Sequence, residues 1–436
     1  MDLVSYGDNL VTSGSHYEQS FGVSILVALA ESDCFSDATL RKIGVSAPTI
    51  ERLIEMLSWK GLCEKEGRRS AAVVVSMLTG RKVIALRITG IPGAIESVAS
   101  LLYADQDELN LLGLSILNNL AHDHNNCDKI GNTRGLLDKI ISYSSLDHGL
   151  APTTPRDMRL KAVKQSLHVV KRLASTTGNT GKLLRRELTD IVFTVSNVRD
   201  VLQRQEKKVQ FELHQLAIEI LTSLAMDDDA RELIGGTGGM VSVLVTIFLQ
   251  PVEITECRHA NTIRVEAGEA LAMLALESKK NCGMIIMALG GGVGRLVGAL
   301  NDPVVIIWAA RILHNLCSYA GDEWQLPLEG VTAGATKVLR TIMVEKEKTL
   351  NIFLGLAAQM IRFMEPGELR ASLTMADVRY VALFEELGLE GELRHVAATT
   401  SMLECFYVFS GSVGLGHHAV SIHTLVESAL ELMNKG

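Results

Sequence analysis

The stretch MALGGGVGRLVGAL, residues 287–300, decides between two folds for this chain. An apolar run leads into Gly290, Gly291, Gly292 and Gly294, and a second apolar run follows them. A dinucleotide-binding turn has this pattern, because its glycines let a pyrophosphate approach the backbone at the start of a helix. The alternative is a glycine turn between two packed helices, and the rest of the sequence separates the two interpretations.

Glycine pairs of this kind recur before apolar segments along the chain. The other pairs are Gly90 and Gly93, Gly131 and Gly135, Gly235 and Gly239, and Gly330 and Gly334, with Gly44 and Pro48 in a further copy. An apolar segment that ends in a leucine precedes five of the copies, at Leu78, Leu120, Leu224, Leu274 and Leu316. From the leucine to the second glycine the distance is 15 residues in the first three of these copies and 20 and 18 residues in the last two. A degenerate copy at Leu173 lacks the second glycine.

The spacing of the copies favours a helical repeat over a nucleotide-binding turn. Successive second positions lie about 40 to 55 residues apart, and the longer units carry polar insertions at 142–157 and 251–262. A helical period of about 40–47 residues is typical of HEAT and armadillo solenoids. A dinucleotide fold would instead place one such turn after a strand, with an acidic residue about 20 residues downstream. No acidic residue lies between Asp302 and Asp322, so we expect no nucleotide site.

The unit that follows Gly93 indicates how a repeat is built. Residues 109–121, LNLLGLSILNNLA, are apolar around most of a helix and leave a narrow polar stripe at Ser115, Asn118 and Asn119. A helix with so thin a polar stripe packs against a neighbour on both sides. We therefore predict one inner helix in each repeat, and burial of the leucines that end these helices, Leu120 and Leu224 among them.

These features resemble the armadillo-repeat superfamily. The resemblance is carried by Asn119-Leu120 and Asn315-Leu316, by Asn126-Cys127 and Asn281-Cys282, and by the turn from Ile130 to Leu136. It covers roughly residues 40–345 and is closest to plant armadillo-like-repeat proteins. The resemblance implies an all-α, right-handed solenoid of three-helix repeats, with a concave groove that binds extended protein segments and without catalysis. It divides the chain into an N-terminal capping segment (1–47), armadillo repeats (48–345), and degenerate C-terminal repeats with a cap (346–436).

One difference from the armadillo-repeat superfamily narrows the kind of partner that we expect. Nuclear-import members of the superfamily line the groove with an asparagine ladder and place a tryptophan four residues before each asparagine. Here the ladder positions are Asn119, Arg172, Ser223, Met273 and Asn315, and the earlier positions are Ser115, His168, Glu219, Glu269 and Arg311. No tryptophan occupies those positions, so recognition of basic import signals is not expected.

A charge pattern gives the candidate binding residues. Lys161, Lys164, His168 and Arg172 follow one face of the helix predicted over 158–173, with Lys171 beside them, and acidic residues take the corresponding face of the next two inner helices. Such a surface would select a partner with a complementary acidic segment, although ordinary solvated faces give the same pattern. The candidate groove residues are Asn119, Lys161, Lys164, His168, Arg172, Glu219, Glu269, Arg311 and Asn315.

No motif indicates catalysis, a metal or a cofactor. His122 and His124 have no third ligand at a useful spacing, and His417, His418 and His423 have no acidic neighbours. Cys127 and Cys282 occupy the same position in two units, which favours core packing over reactivity. We find neither a nucleophile elbow nor a P-loop, so we expect no enzyme activity and no small-molecule substrate.

Composition places the chain inside the cell. Its 436 residues carry a net charge of −8, which disfavours nucleic acid as the partner. The seven cysteines include no CxxC, and neither a secretory signal nor an uninterrupted membrane span is visible. We predict an intracellular, most simply cytoplasmic, protein-interaction scaffold. The alternative is a membrane-associated regulatory protein whose repeats face the cytosol.

Overall fold

The computed structural model describes residues 2–145, 150, 153–204, 210–251, 257–344, 349–364, 372 and 375. Across these residues the regular structure is α-helical, with short 3₁₀ segments and no strand. The chain divides into two compact units, Met1–Asp200 and Val201–Gly436. The predicted all-α solenoid is confirmed, because each unit is a succession of long helices that pack on one another in chain order.

In the first unit, four helices form the inner layer. They are α2, α5, α8 and α11, and each packs against the next. Shorter helices connect them and cover their outer sides, so that one long and two short helices repeat. The helices are α1 (Leu3–Val11), α2 (His16–Ala30), α3 (Ser36–Val45), α4 (Ala47–Met56), α5 (Lys65–Thr79), α6 (Lys82–Gly90), α7 (Ala94–Leu101), α8 (Asp107–Leu120), α9 (His124–Asn132), α10 (Leu136–Ser142), α11 (Arg156–Ala174), α12 (Gly178–Asp190) and α13 (Thr194–Gln203), the last ending just past the unit boundary.

The second unit repeats this arrangement. Its inner helices α14, α17, α20 and α23 pack successively, and short helices lie between them. The helices are α14 (Gln210–Leu224), α15 (Asp228–Gly236), α16 (Met240–Phe248), α17 (Cys257–Ala275), α18 (Lys279–Ala288), α19 (Gly294–Ala299), α20 (Ile306–Tyr319), α21 (Gln325–Glu329), α22 (Ala335–Val344) and α23 (Leu350–Ile361).

The leucines that end the inner helices are core residues, as predicted. The exposed fraction of each one is 0%, at Leu78, Leu120, Leu173, Leu224, Leu274 and Leu316. Each leucine lies where an inner helix meets its neighbours, and burial of a leucine side chain contributes roughly 1.5–3 kcal/mol. The repeat register derived from these residues is therefore confirmed.

The Asn-Cys pairs close the ends of inner helices. Asn126 donates from Nδ2 to the carbonyl oxygen of Leu120 at 3.0 Å, and Cys127 donates from Sγ to that of Ala121 at 3.3 Å. These carbonyls belong to the last turn of α8, where no backbone N–H is available within the helix. The equivalent bonds in the second unit join Asn281 to Leu274 (2.9 Å) and Cys282 to Ala275 (3.2 Å).

The glycine turns join helices, but they follow two patterns. Where the leucine-to-glycine distance is 15 residues, the second glycine has a left-handed φ and caps the next helix, as at Gly93, Gly135 and Gly239. In the stretch 287–300 the left-handed residues are instead Gly290 and Gly291, with φ of 97° and 83°. The longer spacing thus moves the turn to earlier glycines between α18 and α19.

Two inner helices of the second unit begin near polar stretches. Helix α17 begins at Cys257, so residues 257–262 of the predicted insertion at 251–262 lie on this helix. Helix α20 begins at Ile306, four residues after Asp302. The carboxylate of Asp302 accepts from the Val304 N–H at 3.0 Å and from Arg264 at 2.6 Å, which holds a separate turn ahead of the helix.

The predicted divisions at 47/48 and 345/346 stay predictions. The first falls at the start of α4, which begins at Ala47. Of the predicted C-terminal segment 346–436, α23 is the helix that the structure describes, and most of the remainder lies outside the described residues.

Candidate functional site

A cleft of about 370 Å³ lies in the first unit, at the C-terminal end of α11. One wall comes from the end of α8 and the start of α9, and the other from the last turns of α11. The described lining is rich in nitrogen side chains and contains no carboxylate. It consists of Ala121, His122, His124, Cys127, His168, Lys171, Arg172, Ser175 and Thr176.

Arg172 is held in place by two neutral acceptors. Its Nε donates to Oδ1 of Asn118 at 2.7 Å, and its Nη1 donates to Nδ1 of His122 at 2.9 Å. The Asn118 amide is oriented in turn by a bond from its Nδ2 to Oε1 of Gln165, at 3.3 Å. Within the described chain the Nη2 group of Arg172 has no hydrogen-bond partner. The result is a fixed guanidinium on the wall of the cleft, with one donor edge unused.

The histidines near Arg172 are constrained by it. Because an arginine always donates, Nδ1 of His122 accepts, and the neutral ring then carries its proton on Nε2. Partial burial and the nearby charge of Arg172 lower the pKa of His122, so this ring is neutral at pH 7. His124 contacts the hydroxyl of Thr177 through Nε2 at 3.3 Å. The cleft therefore holds imidazole donors beside fixed positive charge.

Cys127 is unsuited to nucleophilic chemistry. Burial raises the pKa of its thiol, and the thiol donates to a backbone carbonyl. The prediction that this cysteine packs in the core is confirmed, since its exposed fraction is 2%. Cys282 and Cys317 in the second unit are also buried, and burial raises the pKa of each thiol to about 12.

The structure separates the basic residues that were predicted to share one face of α11. His168 and Arg172, with Lys171, line the cleft, whereas Lys164 is half-buried and Lys161 is exposed on an earlier turn of α11. Sequence reasoning missed the opposite wall, because His122 and His124 were considered only as metal ligands. Their position just after the anchor Leu120 was the available signal, since it puts them beside the next inner helix.

Asn119 and Asn315 connect neighbouring inner helices. Nδ2 of Asn119 donates to the carbonyl of Ser76 at 3.4 Å and to the hydroxyl of Thr79 at 3.3 Å. Nδ2 of Asn315 donates to the carbonyl of Ala272 at 2.8 Å. These amide groups therefore stabilise the packing of α8 on α5 and of α20 on α17.

In the second unit, Glu219, Glu269 and Arg311 form a charge cluster on three successive inner helices. Burial raises the pKa of Glu269; the charge of Arg311 opposes that shift and the charge of Glu219 adds to it. Burial lowers the pKa of Arg311, and Glu269 opposes the shift. The Arg311 guanidinium also lies 5.0 Å from the centre of the Trp308 ring. The structure thus brings these three candidate residues together.

Metal ligation and membrane insertion would each need a recognisable arrangement of residues in the described chain. No group of three His, Cys, Asp or Glu side chains there is arranged to hold a metal ion. The histidines His417, His418 and His423 lie outside the described residues. None of the described helices is by itself long and apolar enough to cross a membrane. Two sharply bent pairs reach that length and composition only together, Lys82–Gly90 with Ala94–Leu101 and Asp228–Gly236 with Met240–Phe248.

Comparison with known proteins supports the fold. No protein-family model matches the sequence, and no curated protein matches it either. The crystal structure of an engineered protein from the Northeast Structural Genomics Consortium is similar over 100% of both chains, with 19% identity and a TM-score of 0.61. A structure of computationally designed armadillo repeat proteins for modular peptide recognition is similar over 62% of this chain and 99% of that chain, with 13% identity and a TM-score of 0.47.

The first similarity, at 19% identity, speaks to the fold alone. The second has a TM-score below one half and adds nothing to that assignment. The solenoid is therefore established, while the narrower resemblance to plant armadillo proteins stays a prediction.

Proposed function

We propose that this chain is a non-enzymatic protein-binding scaffold, and that an acidic segment of a partner protein docks on the C-terminal half of α11. The observation that carries the proposal is the cleft beside Arg172, which is lined by cationic and imidazole groups and by no carboxylate among its described residues. Lys164 and Lys161 extend the same charge along the helix. A segment with spaced Asp or Glu residues complements this surface.

Energetic reasoning supports a binding purpose for these charges. Exposed charges contribute only about 0–1 kcal/mol to folding, so the fold gains little from the exposed Lys161. Concentrated charge does accelerate and orient the association of a partner of opposite sign. A chain with a net charge of −8 that keeps one basic surface is suited to a protein partner rather than to the continuous phosphate backbone of nucleic acid.

The cleft also lacks the features of an active site. Its sulfur nucleophile, Cys127, is a buried thiol with a raised pKa, whereas catalytic cysteines have lowered values. We further propose an intracellular location, which suits the exposed free thiols of Cys34 and Cys63.

The test uses a fluorescein-labelled oligoglutamate peptide and the intact chain. Fluorescence anisotropy should show binding that weakens as salt is added. The variant with Lys164→Glu and Arg172→Glu should lose this binding while its circular dichroism stays unchanged. The matched control is Lys60→Glu with Lys82→Glu, which makes the same change in charge at exposed positions of the first unit.

The control should retain most of the affinity. Equal weakening by both variants would show that the peptide responds only to net charge. Undiminished binding by the α11 variant would show that the basic residues are an ordinary solvated surface.

A further inference from the structure

At the cleft, Arg172 is held more firmly than Lys161 on an earlier turn of α11. Lys161 is simply an exposed cation, but Arg172 is fixed by Asn118 and His122 within a concave site. The volume of about 370 Å³ lies within the range of roughly 300–1,000 Å³ that small ligand sites occupy. A site of this kind selects a particular anionic group rather than negative charge in general.

We propose that the cleft binds the phosphoryl group of a phosphoserine or phosphothreonine carried by the docking segment. This inference rests on the proposed function and names the group that the partner contributes. The segment would follow α11, and its phosphorylated residue would enter the cleft between the end of α8 and the end of α11.

The fixed arginine is the first reason for choosing a phosphoryl group. Arginine recognises phosphate through parallel N–H donors in a planar fork. Two donors of Arg172 already hold the side chain in place through Asn118 and His122, and Nη2 remains for a ligand. Because the guanidinium is ordered before the ligand arrives, binding loses little side-chain entropy.

Charge is the second reason. Lys171 and Arg172 bring two positive charges to the lining, and no carboxylate is among the described lining residues. A phosphomonoester carries a charge of about −1.5 to −2 at pH 7 and has three strong acceptor oxygens. A glutamate carries one negative charge and two oxygens, so it is a weaker acceptor for the Arg172 guanidinium than a phosphoryl group.

His122 supplies the third donor and a spectroscopic reporter. Since its Nδ1 accepts from Arg172, Nε2 of the neutral ring carries the proton and is the donor offered to a ligand. The groups that surround it are Arg172, Lys171 and His168 from α11, with Asp123 and His124 beside it in the chain. A bound dianion stabilises the imidazolium and offsets the positive charge of Arg172, which is one cause of the lowered pKa of His122. Phosphate should therefore raise the pKa of His122 from its lowered value.

The test compares three labelled peptides of one sequence that differ at a single position: serine, glutamate or phosphoserine. Anisotropy titrations should show that the phosphoserine peptide binds at least about tenfold more tightly than the glutamate peptide. Arg172→Lys keeps the charge but removes the fork, and should reduce this ratio. Lys161→Gln, outside the cleft on the same helix, should weaken all the peptides similarly and preserve the ratio.

Inorganic phosphate gives a second readout. Histidine NMR of the full chain, with the His122 signal identified through His122→Gln, should show a higher pKa for His122 when phosphate is added. Equal affinities for the glutamate and phosphoserine peptides would overturn the phosphate site while leaving the scaffold proposal standing, as would a preference that is undiminished in Arg172→Lys. A His122 signal that does not respond to phosphate would also overturn it. Failure of the oligoglutamate peptide to bind is the separate result that counts against the scaffold.

Discussion

Arg172 in the first unit and Arg311 in the second are both arginines on inner helices, and burial lowers the pKa of each. Their surroundings differ. Arg172 is held by a neutral amide and a neutral imidazole, at the edge of a cleft. Arg311 lies within reach of the Glu269 carboxylate and over the face of Trp308.

The two arginines differ in whether a neighbouring group opposes their positive charge. The neighbours of Arg172 orient its guanidinium without neutralising it, so the charge stays available to a ligand. The charge of Arg311 is opposed within the protein by an acidic residue from the adjacent helix. The same residue type on an inner helix is therefore held by neutral groups beside a cleft in one unit and lies near a carboxylate in the other. Three measurements test this contrast.

The largest expected effect tests whether the repeats of the two units are built in the same way. Leu120→Ala and Leu224→Ala each remove a fully buried side chain at the end of an inner helix. Each should lower the free energy of unfolding by roughly 2–5 kcal/mol, from lost burial and the cavity left behind. Urea unfolding followed by circular dichroism measures this.

The matched controls are Leu86→Ala and Leu233→Ala, whose leucines are 43% and 49% exposed. Each should cost no more than about 0.5 kcal/mol. A large loss in one unit and a negligible loss in the other would mean that the repeats are not built alike, and the comparison of the two arginines would lose its basis.

The next effect separates the arginines directly. Arg311→Met should lower the free energy of unfolding by about 1–3 kcal/mol, because it leaves the half-buried Glu269 without its opposite charge. Arg172→Met should cost only about 0–1 kcal/mol, since its acceptors, Asn118 and His122, are neutral and border a cleft open to water. Thermal and urea unfolding of both variants provide the measurement.

A double-mutant cycle sharpens this result. Glu269→Gln combined with Arg311→Met should be less destabilising than the sum of the two changes, because the pair is coupled. Equal costs for the two arginine variants, or an additive cycle, would contradict the assignment of Arg311 to internal electrostatics.

The smallest effect is a pH dependence. The pKa of Glu269 is raised in the folded protein, mainly by burial, from an ordinary value of 4.5. The folded state therefore keeps this proton at pH values where the unfolded chain has lost it, and stability falls as the pH rises through that window. Glu269→Gln should remove this decline, so that the melting temperature of the wild type falls by about 1–2 °C more than that of the variant.

Glu108 in the first unit gives a control of opposite sign. Its carboxylate pairs with Arg69 at 2.7 Å, and the hydrogen bonds from this partner lower the pKa of Glu108. The wild type should therefore gain stability relative to Glu108→Gln as the pH rises toward and above 4.5. The same direction of change in both variants would show that the environment of Glu269 has been misjudged.

Much of the fold follows from recurring residues. Short-range geometry sets the role of the anchor leucines, the Asn-Cys pairs and the glycine turns. The spacing of these residues in the sequence is therefore enough to predict what they do in the fold. Cys127 and Cys282 illustrate this, because both donate to the carbonyl of the residue that follows an anchor leucine. Contacts between distant residues are a different matter. Asp302, in the turn before α20, accepts a bond from Arg264, 38 positions earlier in the chain.

The sequence by itself determined the all-α repeat, its register and the placement of charge on the inner helices, because these depend on the helical period and on residues close together in the chain. Only the tertiary structure decided which of those charges remain available. Arg172 meets Asn118 and His122, and Arg311 meets Glu269, across gaps of about 40 to 55 residues. Burial and partner identity at such distances arise from packing between helices, and no local pattern specifies them.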